Sequence, residues 1–388
     1  MPSASPLFVV GRLPPPYDGQ TLATARCADV LDGAFDVQRF DTEPAGGPAA
    51  RTEPTLDLRR GAQYLGIGRR LRRALAPYPD APVLWHSVAP TLLGHARDVA
   101  VSLPAFGPQR PLVAVLHRAL YERLFTRALT APTARRVARR VTTWVVQSGP
   151  LRDALAPHVP PERITIVPNT IDAAVWCSDE EVRAQQGRVG DALGQGPLRV
   201  LFLSNMIREK GYRDVLDAVA RLHAEGVAVA PHFAGAWPDE ATRATFEARV
   251  REAGLGDVLV HHGRIADPAR IKALHLAADV FVLPTYHPTE TQPIALLEAM
   301  NAGTPVVTTD REATRAIDGG SGAFTFVPPQ APDAIASALR SLAEARRWHE
   351  ASEAGRARFQ EAFAPDAVAA RWREVAAAAF RSGPTPSR

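Results

Sequence analysis

The sequence predicts a parallel α/β protein built from two Rossmann-like domains in series. Short apolar stretches alternate with helix-like stretches along the 388 residues, and this alternation is typical of βα units. The length accommodates two domains with cores of their own. Because ligands of such sheets bind beyond the carboxyl ends of the strands, the two domains are expected to face each other across a deep interdomain cleft.

The predicted strands are short runs rich in apolar and β-branched residues. In the first half they are 7–10, 36–40, 82–88, 99–103, 112–117, 142–148 and 164–168. In the second half they are 198–204, 230–235, 258–263, 279–284, 305–309 and 323–327. The stretch between the two sets contains four glycines and no strand-like run, which predicts an interdomain connection over 173–197.

The predicted domains therefore cover 1–172 and 198–363. An amphipathic pattern predicts one more helix over 365–381, and the residues after it, 382–388, are predicted to be a flexible tail. No apolar stretch approaches the roughly 18 residues that a membrane-spanning helix needs, and the early apolar run is better interpreted as a first core strand than as a signal peptide.

The amino-acid composition indicates a globular protein without structural disulfides. A hydrophobic content of 46% is that of a globular protein. Two cysteines, Cys27 and Cys177, provide no disulfide framework, which suits the cytoplasm. All but two of the 45 basic residues are arginine, a bias that a GC-rich genome produces without functional cause. Each of the two lysines, Lys210 and Lys272, therefore stands out.

Arginine clusters at 69–73 and 135–140 leave two interpretations open. They could bind anionic lipid or acidic glycan, which would place the protein at the inner face of the plasma membrane. The interpretation we favour is that they are solvated helix faces in an arginine-rich protein. We predict no nucleic-acid partner.

The segment 277–309 is the most informative in the chain. It predicts a buried strand, a polar loop, a short helix opened by Pro293 and ended by Gly303, and a second buried strand. Glu290 lies in the loop, and Glu298 interrupts an otherwise apolar helix. A loop that leads from a parallel strand into a helix N-terminus is a common anion-binding site.

A second loop, 204–211, follows the predicted strand 198–204 and precedes a helix. Lys210 lies at the start of that helix, where a cation opposes the helix dipole at a cost of about 0.3–1 kcal/mol unless an anion lies between them. We therefore predict that Lys210 binds an anionic group.

In the first half, His117 and His86 both lie at strand ends. A histidine of ordinary pKa, near 6.5, could position an acceptor or exchange protons near neutrality. For His86 a core role is the favoured interpretation. Gly19, in the loop after the first strand, permits close approach of the backbone to a ligand.

The E-x7-E spacing of Glu290 and Glu298 resembles that of retaining glycosyltransferases of the GT-B fold, family 4. The resemblance implies that Glu290 contacts the donor sugar and that Glu298 binds the ribose hydroxyls of the nucleotide. It further implies that the intervening segment holds the diphosphate. That segment consists of Thr291, Gln292, Pro293 and Ile294.

Other positions extend the resemblance. Lys210 corresponds to the family's phosphate-binding lysine, and Asn205 stands where the family has an arginine, so that Arg208 becomes the candidate substitute. His117 resembles the strand-terminal histidine at the junction of sugar and acceptor, and the loop with Arg264 and Ile265 resembles the one that holds the base. The match at Gly19 is partial. By the same resemblance, the helix 365–381 completes the first domain.

The resemblance thus implies a retaining glycosyltransferase that takes a sugar from a nucleotide diphosphate sugar. Its acceptor would be a glycan, a lipid-linked molecule or a small molecule. His117, Glu290 and Lys210 are the candidate catalytic residues. No Asp-x-Asp metal motif is found, so we expect neither metal nor cofactor. Two alternatives remain: a nucleotide-sugar epimerase of the same architecture, and a non-catalytic glycan- or nucleotide-binding homologue, which Asn205 favours.

Overall fold

The computed structural model describes residues 6–15, 19–44, 58–86 and 88–382. The chain forms two compact units. The first unit comprises the residues up to Asn169 and those from Asp366 on, and the second unit comprises Thr170–Pro365. Within the described ranges, no helix is long and apolar enough to span a membrane. Of the predicted tail 382–388, all but Ser382 lies outside the described residues.

The first unit is built on a parallel sheet with the strand order β2-β1-β3-β4-β5-β6. Its strands are β1 (Leu7–Gly11), β2 (Val37–Asp41), β3 (Val83–Trp85), β4 (Leu112–Leu116), β5 (Thr143–Val146) and β6 (Ile164–Ile166). β1 and β4 are buried along their whole length, as expected for strands covered on both faces by helices.

The helices of the first unit alternate with these strands. They are α1 (Gly19–Leu31), α2 (Leu58–Leu75), α3 (Leu92–Arg97), α4 (Leu103–Phe106), α5 (Arg123–Thr126), α6 (Ala131–Arg140) and α7 (Gly149–Leu155). A π-helical turn, Asp98–Ser102, lies between α3 and α4, and a 3₁₀ turn, Pro161–Arg163, precedes β6.

The strand predicted at 99–103 is wrong. Residues 98–102 form the π-helical turn and Leu103 begins α4. Asp98 is buried there. Its carboxylate accepts hydrogen bonds from Ala89 N at 2.9 Å and Arg97 Nε at 3.0 Å, and these bonds offset the cost of its burial. Val101 packs so closely on α2 that a Cβ on Gly68 would lie 2.7 Å from it. A short apolar run does not by itself distinguish a strand from a buried helical segment.

The second unit contains a parallel sheet with the strand order β12-β11-β10-β7-β8-β9. Its strands are β7 (Leu198–Leu203), β8 (Val229–Ala234), β9 (Val260–His261), β10 (Val280–Leu283), β11 (Val306–Thr309) and β12 (Phe324–Val327). β10 lies between β7 and β11, with Phe281 opposite Leu201 on one side and Val306 on the other. The loops that follow β7 and β10 therefore leave the same edge of the sheet side by side.

The helices of the second unit cover both faces of that sheet. They are α8 (Asp179–Ala192), α9 (Tyr212–Ala224), α10 (Glu240–Glu252), α11 (Pro268–Ala277), α12 (Ile294–Asn301), α13 (Glu312–Asp318), α14 (Pro332–Leu342) and α15 (Ala345–Ala362). Two 3₁₀ turns accompany them, Ala173–Val175 and Arg208–Lys210.

The last described helix, α16 (Pro365–Arg381), lies in the first unit. Its apolar face, with Val368, Trp372 and Val375, packs against a buried cluster that includes Val9 and Val113 of the sheet.

The stretch 173–197, predicted as an interdomain connection, lies in the second unit and contains α8. This helix begins with a capping box in which Ser178 and Glu181 bond reciprocally. Gly190 lies inside it, where a Cβ would come within 2.9 Å of His349 Nε2. The glycine therefore reflects close helix packing here, although in the sequence it resembles a loop residue.

Candidate active site

Two residues 80 positions apart, Lys210 and Glu290, meet at the carboxyl edge of the second unit's sheet. Lys210 ends the 3₁₀ turn that follows β7, and Glu290 lies in the loop between β10 and α12. The Lys210 ammonium forms an ion pair with the Glu290 carboxylate, and each side chain is 17% exposed. The structure thus brings together two of the three catalytic candidates that the sequence predicts.

Backbone contacts hold the lysine-bearing turn against the end of β10. Tyr286 N donates to Glu209 O at 2.8 Å, and Thr285 Oγ1 donates to the same carbonyl at 3.3 Å. Gly211, which follows the turn with φ +80°, would place a Cβ 2.6 Å from Pro284 O. Lys210 is consequently fixed on the neighbouring strand's loop and does not depend on its own strand alone.

Arg311 supports the same loop from the other side. Its Nη1 donates to His287 O at 2.6 Å, three residues before Glu290. Arg311 follows β11, which is the strand next to β10. In the sequence, the position of Arg311 just after the predicted strand 305–309 is the feature that could have indicated this role.

The N-terminus of α12 provides a second anion-binding element next to this pair. Pro293 precedes the first helical residue and provides no side-chain cap. The first N–H groups of a helix have no carbonyl partner within it and carry the positive end of the helix dipole. Thr291, Gln292 and Pro293 are buried and Ile294 is half-buried. The geometry of the segment 291–294 is therefore suited to a phosphate group.

Glu298 lies in the second turn of α12 and is 6% exposed. Its Oε2 is 3.7 Å from Nε2 of the fully buried His275, whose ring packs on Phe281 with the centroids 5.0 Å apart. Neither ring nitrogen of His275 has a hydrogen-bond partner within the described residues. In the sequence, Glu298 is recognisable as an unusual carboxylate in an apolar helix, whereas no pattern there indicates His275.

The remaining donor-side candidates lie in the loops after β7 and β9. Asn205, Arg208 and Arg264 are exposed and Ile265 is half-buried. In the described part of the chain, none of these side chains bonds to Lys210 or Glu290. Gly235, which follows β8, lies between these two loops. Its N donates to Gly263 O at 2.9 Å, and a Cβ added to it would lie 1.8 Å from Ser204 O.

In the first unit, polar residues gather at the carboxyl edge of the sheet. His117 Nε2 is 2.9 Å from His86 Nδ1, and Gln147 Nε2 is 2.5 Å from His117 Nδ1. Gln147 Nε2 also donates to Asn169 Oδ1 at 3.2 Å. Gln20, next to the exposed Gly19 at the start of α1, donates to the His86 carbonyl at 3.2 Å.

These contacts change the expected chemistry of His117. Burial, followed by the nearby charge of Arg118, lowers its pKa to about 4. Burial and His117 together lower the pKa of His86 well below the ordinary value. The expectation that His117 exchanges protons near neutrality is therefore wrong, because its ring is neutral at that pH.

Within the described ranges, no group of three or more His, Cys, Asp or Glu side chains is placed to hold a metal ion. The adjacent histidines His261 and His262 point to different neighbours. The ring of His261 lies 5.1 Å from that of Trp237, whereas His262 Nε2 is 3.0 Å from His232 Nδ1. This is the divergence expected for successive residues of an extended segment, here the last residue of β9 and the one after it.

Comparison with solved structures assigns the architecture. A sucrose-phosphate synthase from Thermosynechococcus elongatus matches with a TM-score of 0.72 and 18% identity, over 97% of this chain and 100% of that one. Anabaena Alr3699/HepE in complex with UDP-glucose matches with a TM-score of 0.68 and 16% identity, over 96% and 99%. The two parallel sheets with their helices thus have the GT-B glycosyltransferase fold.

Two protein-family models match this chain, one in each half. One described as glycosyl transferases group 1 matches residues 197–345, and one described as Glycosyltransferase Family 4 matches 23–175. The chain belongs to the group 1, family 4 glycosyltransferases. A Salmonella typhimurium protein named as a colanic acid biosynthesis glycosyltransferase, WcaL, is 29% identical over 174 residues. That alignment spans 44% of this chain and 41% of WcaL, so the chain covers less than half of this relative.

Proposed function

We propose that this protein is a retaining, metal-independent glycosyltransferase that uses a nucleotide diphosphate sugar. The observation that carries the proposal is the Lys210–Glu290 pair beside the N-terminus of α12. A cation, a carboxylate and a helix N-terminus at one sheet edge match the needs of a sugar diphosphate, which has an anionic part and a hydroxyl-rich part.

In the proposed reaction, the bond between the anomeric carbon and the diphosphate oxygen breaks, and a bond to the acceptor's hydroxyl oxygen forms on the same face. The proton of that hydroxyl goes to the departing diphosphate. Lys210 and the amides of 291–294 stabilise the negative charge that develops on the diphosphate. Glu290 binds the donor sugar, Glu298 binds the ribose, and His117 contacts the junction of sugar and acceptor.

The solved structure of HepE in complex with UDP-glucose guides the choice of the first donor. We propose a uridine diphosphate sugar as the first donor to test, with a glycan, a lipid-linked molecule or a small molecule as acceptor. Arg264 and Ile265 are proposed to contact the base. Arg208 is proposed to take the place of the family's arginine, because Asn205, which stands at that position, carries no charge.

A panel of nucleotide sugars, each incubated with and without candidate acceptors, tests the proposal. Release of nucleotide diphosphate that requires an acceptor supports transfer, whereas conversion of the nucleotide sugar without acceptor indicates an epimerase. Binding without turnover across the panel indicates a non-catalytic homologue, the alternative that Asn205 favours. The product's anomeric configuration, read by NMR, tests retention, and loss of activity with a chelator would contradict metal independence.

Replacing Glu290 with glutamine is expected to separate binding from turnover. The substitution removes the carboxylate that competes with a diphosphate for Lys210. Because partly exposed ion pairs contribute about 0.2–1 kcal/mol, nucleotide diphosphate should bind up to about fivefold more tightly. Turnover should fall at least about tenfold, since the sugar loses a positioning contact. Calorimetry with UDP and steady-state kinetics measure the two effects.

Glu181→Gln is the matched control for this experiment. Glu181 pairs with Lys272 at 2.7 Å, so the substitution removes the same charge from the other lysine. It should leave both nucleotide affinity and turnover unchanged. A Glu290→Gln enzyme with weaker nucleotide binding would show that Glu290 does not compete with the diphosphate.

We further propose contact between the first unit and anionic membrane through the arginine face of α2. Arg69, Arg70, Arg72 and Arg73 are all exposed there. In the other cluster, Arg140 instead donates to the carbonyls of Gly107 and Arg110, so part of that cluster is structural.

Co-sedimentation with vesicles containing an anionic lipid tests this contact. Each arginine near such a surface contributes about 1 kcal/mol. Replacing Arg69 and Arg73 with glutamine should therefore weaken binding by about tenfold or more. Binding that responds neither to salt nor to lipid charge would count against the proposal.

A further inference from the structure

Four polar side chains, one after each of four neighbouring strands of the first unit, form a continuous chain of contacts. His86 follows β3, His117 follows β4, Gln147 follows β5, and Asn169 lies just beyond β6. The nitrogen–nitrogen distances are 2.9 Å between His86 and His117 and 2.5 Å between His117 and Gln147, and the Gln147–Asn169 bond is 3.2 Å long. Because β3, β4, β5 and β6 are adjacent, the order of the residues is the order of the strands.

The geometry of these contacts indicates one arrangement of the protons. Asn169 Oδ1 accepts from Gln147 Nε2, which turns the nitrogen of the glutamine amide, and not its oxygen, toward His117. His117 Nδ1 must then accept, so the proton of the neutral ring lies on Nε2 and is donated to His86 Nδ1. Both ring nitrogens of His117 are therefore used within the first unit.

An amide donor at Nδ1 tolerates only a neutral imidazole, because an imidazolium has a proton on each nitrogen and cannot accept. Among the described residues, the burial and charge that shift the His117 pKa work in the same direction. Arg118, beside it in the chain, disfavours a second positive charge, and His86 is itself fully buried. From α16, Trp372 packs on His86 with ring centroids 5.5 Å apart and contributes no charge.

We propose that Gln147 is a positioning residue for sugar transfer, which holds His117 as a neutral ring with its proton on Nε2 and in one orientation. This inference rests on the proposed function. A His117 ring fixed in this way does not take the acceptor's proton, which therefore leaves with the diphosphate. Asn169 acts one step further away, since it orients the Gln147 amide.

Gln147→Glu is the decisive variant, because a carboxylate in this place accepts a proton from Nδ1 and favours the imidazolium. An opposite charge this close raises a histidine pKa by about 1–3 units. NMR of protein with isotope-labelled histidine, assigned with a His117→Asn variant, reads both charge and tautomer. Wild-type His117 should stay neutral with Nε2 protonated from pH 8 to pH 5.5. In Gln147→Glu its pKa should rise from about 4 to about 5–7, so that the ring becomes increasingly charged toward the acid end of that range.

Kinetics then separate positioning from folding. Gln147→Glu should lose kcat mainly at the acid end of that range, by up to about tenfold near pH 6, and should recover it toward pH 8 as His117 loses its proton. Gln147→Met, of similar size and uncharged, should lose activity without that pH-dependent recovery. Asn169→Asp keeps an acceptor for the amide and should retain the wild-type tautomer, and melting temperatures show which variants fold.

The two readouts also distinguish failure of this inference from failure of the proposed function. A wild-type His117 that titrates near its ordinary pKa, or carries its proton on Nδ1, overturns the inference. So does a Gln147→Glu enzyme whose loss of kcat does not change with pH. If NMR shows the expected tautomer but no nucleotide sugar is turned over by the wild type, the proposed function has failed and the arrangement of the residues stands.

Discussion

Lys210→Ala is expected to lower kcat by about 10²-fold or more. Loss of one preorganised charge-stabilising group typically costs this much, because the group acts where charge develops in the transition state. Lys210 is held in place by the backbone contacts of Glu209 and Gly211 with the end of β10, so its ammonium is already in position before the diphosphate departs. Steady-state kinetics with the donor found in the panel measure the effect.

Lys272→Ala is the matched control, because it removes the only other lysine of the chain. Lys272 pairs with Glu181 and lies in α11. Its loss is expected to leave turnover within about twofold of the wild type, since partly exposed ion pairs of this kind contribute little. Near-normal turnover in Lys210→Ala would remove Lys210 from the mechanism.

A double variant separates two causes of the Lys210→Ala effect. Removing the lysine alone leaves the Glu290 carboxylate unpaired, and this carboxylate would repel a diphosphate. Combining Lys210→Ala with Glu290→Gln should restore part of the nucleotide affinity, whereas turnover should stay low. Recovery of turnover in the double variant would mean that Lys210 only neutralises Glu290.

The sequence indicates the strand, loop and helix around Glu290 because these elements are consecutive and their pattern is local. β10, the loop with Glu290 and α12 are consecutive, and the Pro293 and Gly303 boundaries follow from backbone chemistry. The helix itself covers Ile294–Asn301, as the pattern indicated. Lys210 was identified for a local reason as well, since a lone lysine at a helix start opposes the dipole.

Other features could not be predicted because they depend on which strands are neighbours. The Gln147 bond to His117 needs β4 beside β5, and the Arg311 bond to His287 needs β10 beside β11. Strand order is a property of the whole sheet, and neither glutamine nor arginine is unusual where it stands in the sequence. Burial also lowers the pKa of His117 to about 4, and no local pattern in the sequence reveals that burial.

Gly211→Ala is expected to destabilise the protein by about 2–4 kcal/mol. A residue with a side chain pays about 1 kcal/mol in the left-handed conformation, and Gly211 has φ +80°. Its new Cβ would also lie 2.6 Å from Pro284 O and 2.7 Å from Pro284 Cγ. Overpacking against backbone typically costs a further 1–3 kcal/mol. Denaturant unfolding, compared at the midpoint, measures the change.

Gly226→Ala isolates the conformational part of that cost. Gly226 has the same φ of +80°, but an added Cβ there would meet no atom within 4 Å. It should therefore cost only about 1 kcal/mol, and the difference between the two variants measures the contact between the lysine-bearing turn and β10. Because relief of the clash moves Lys210, Gly211→Ala should also weaken UDP binding, whereas Gly226→Ala should not. Equal destabilisation by the two substitutions would show that the turn is not held on Pro284, and Lys210 would then owe its position to β7 and the ion pair alone.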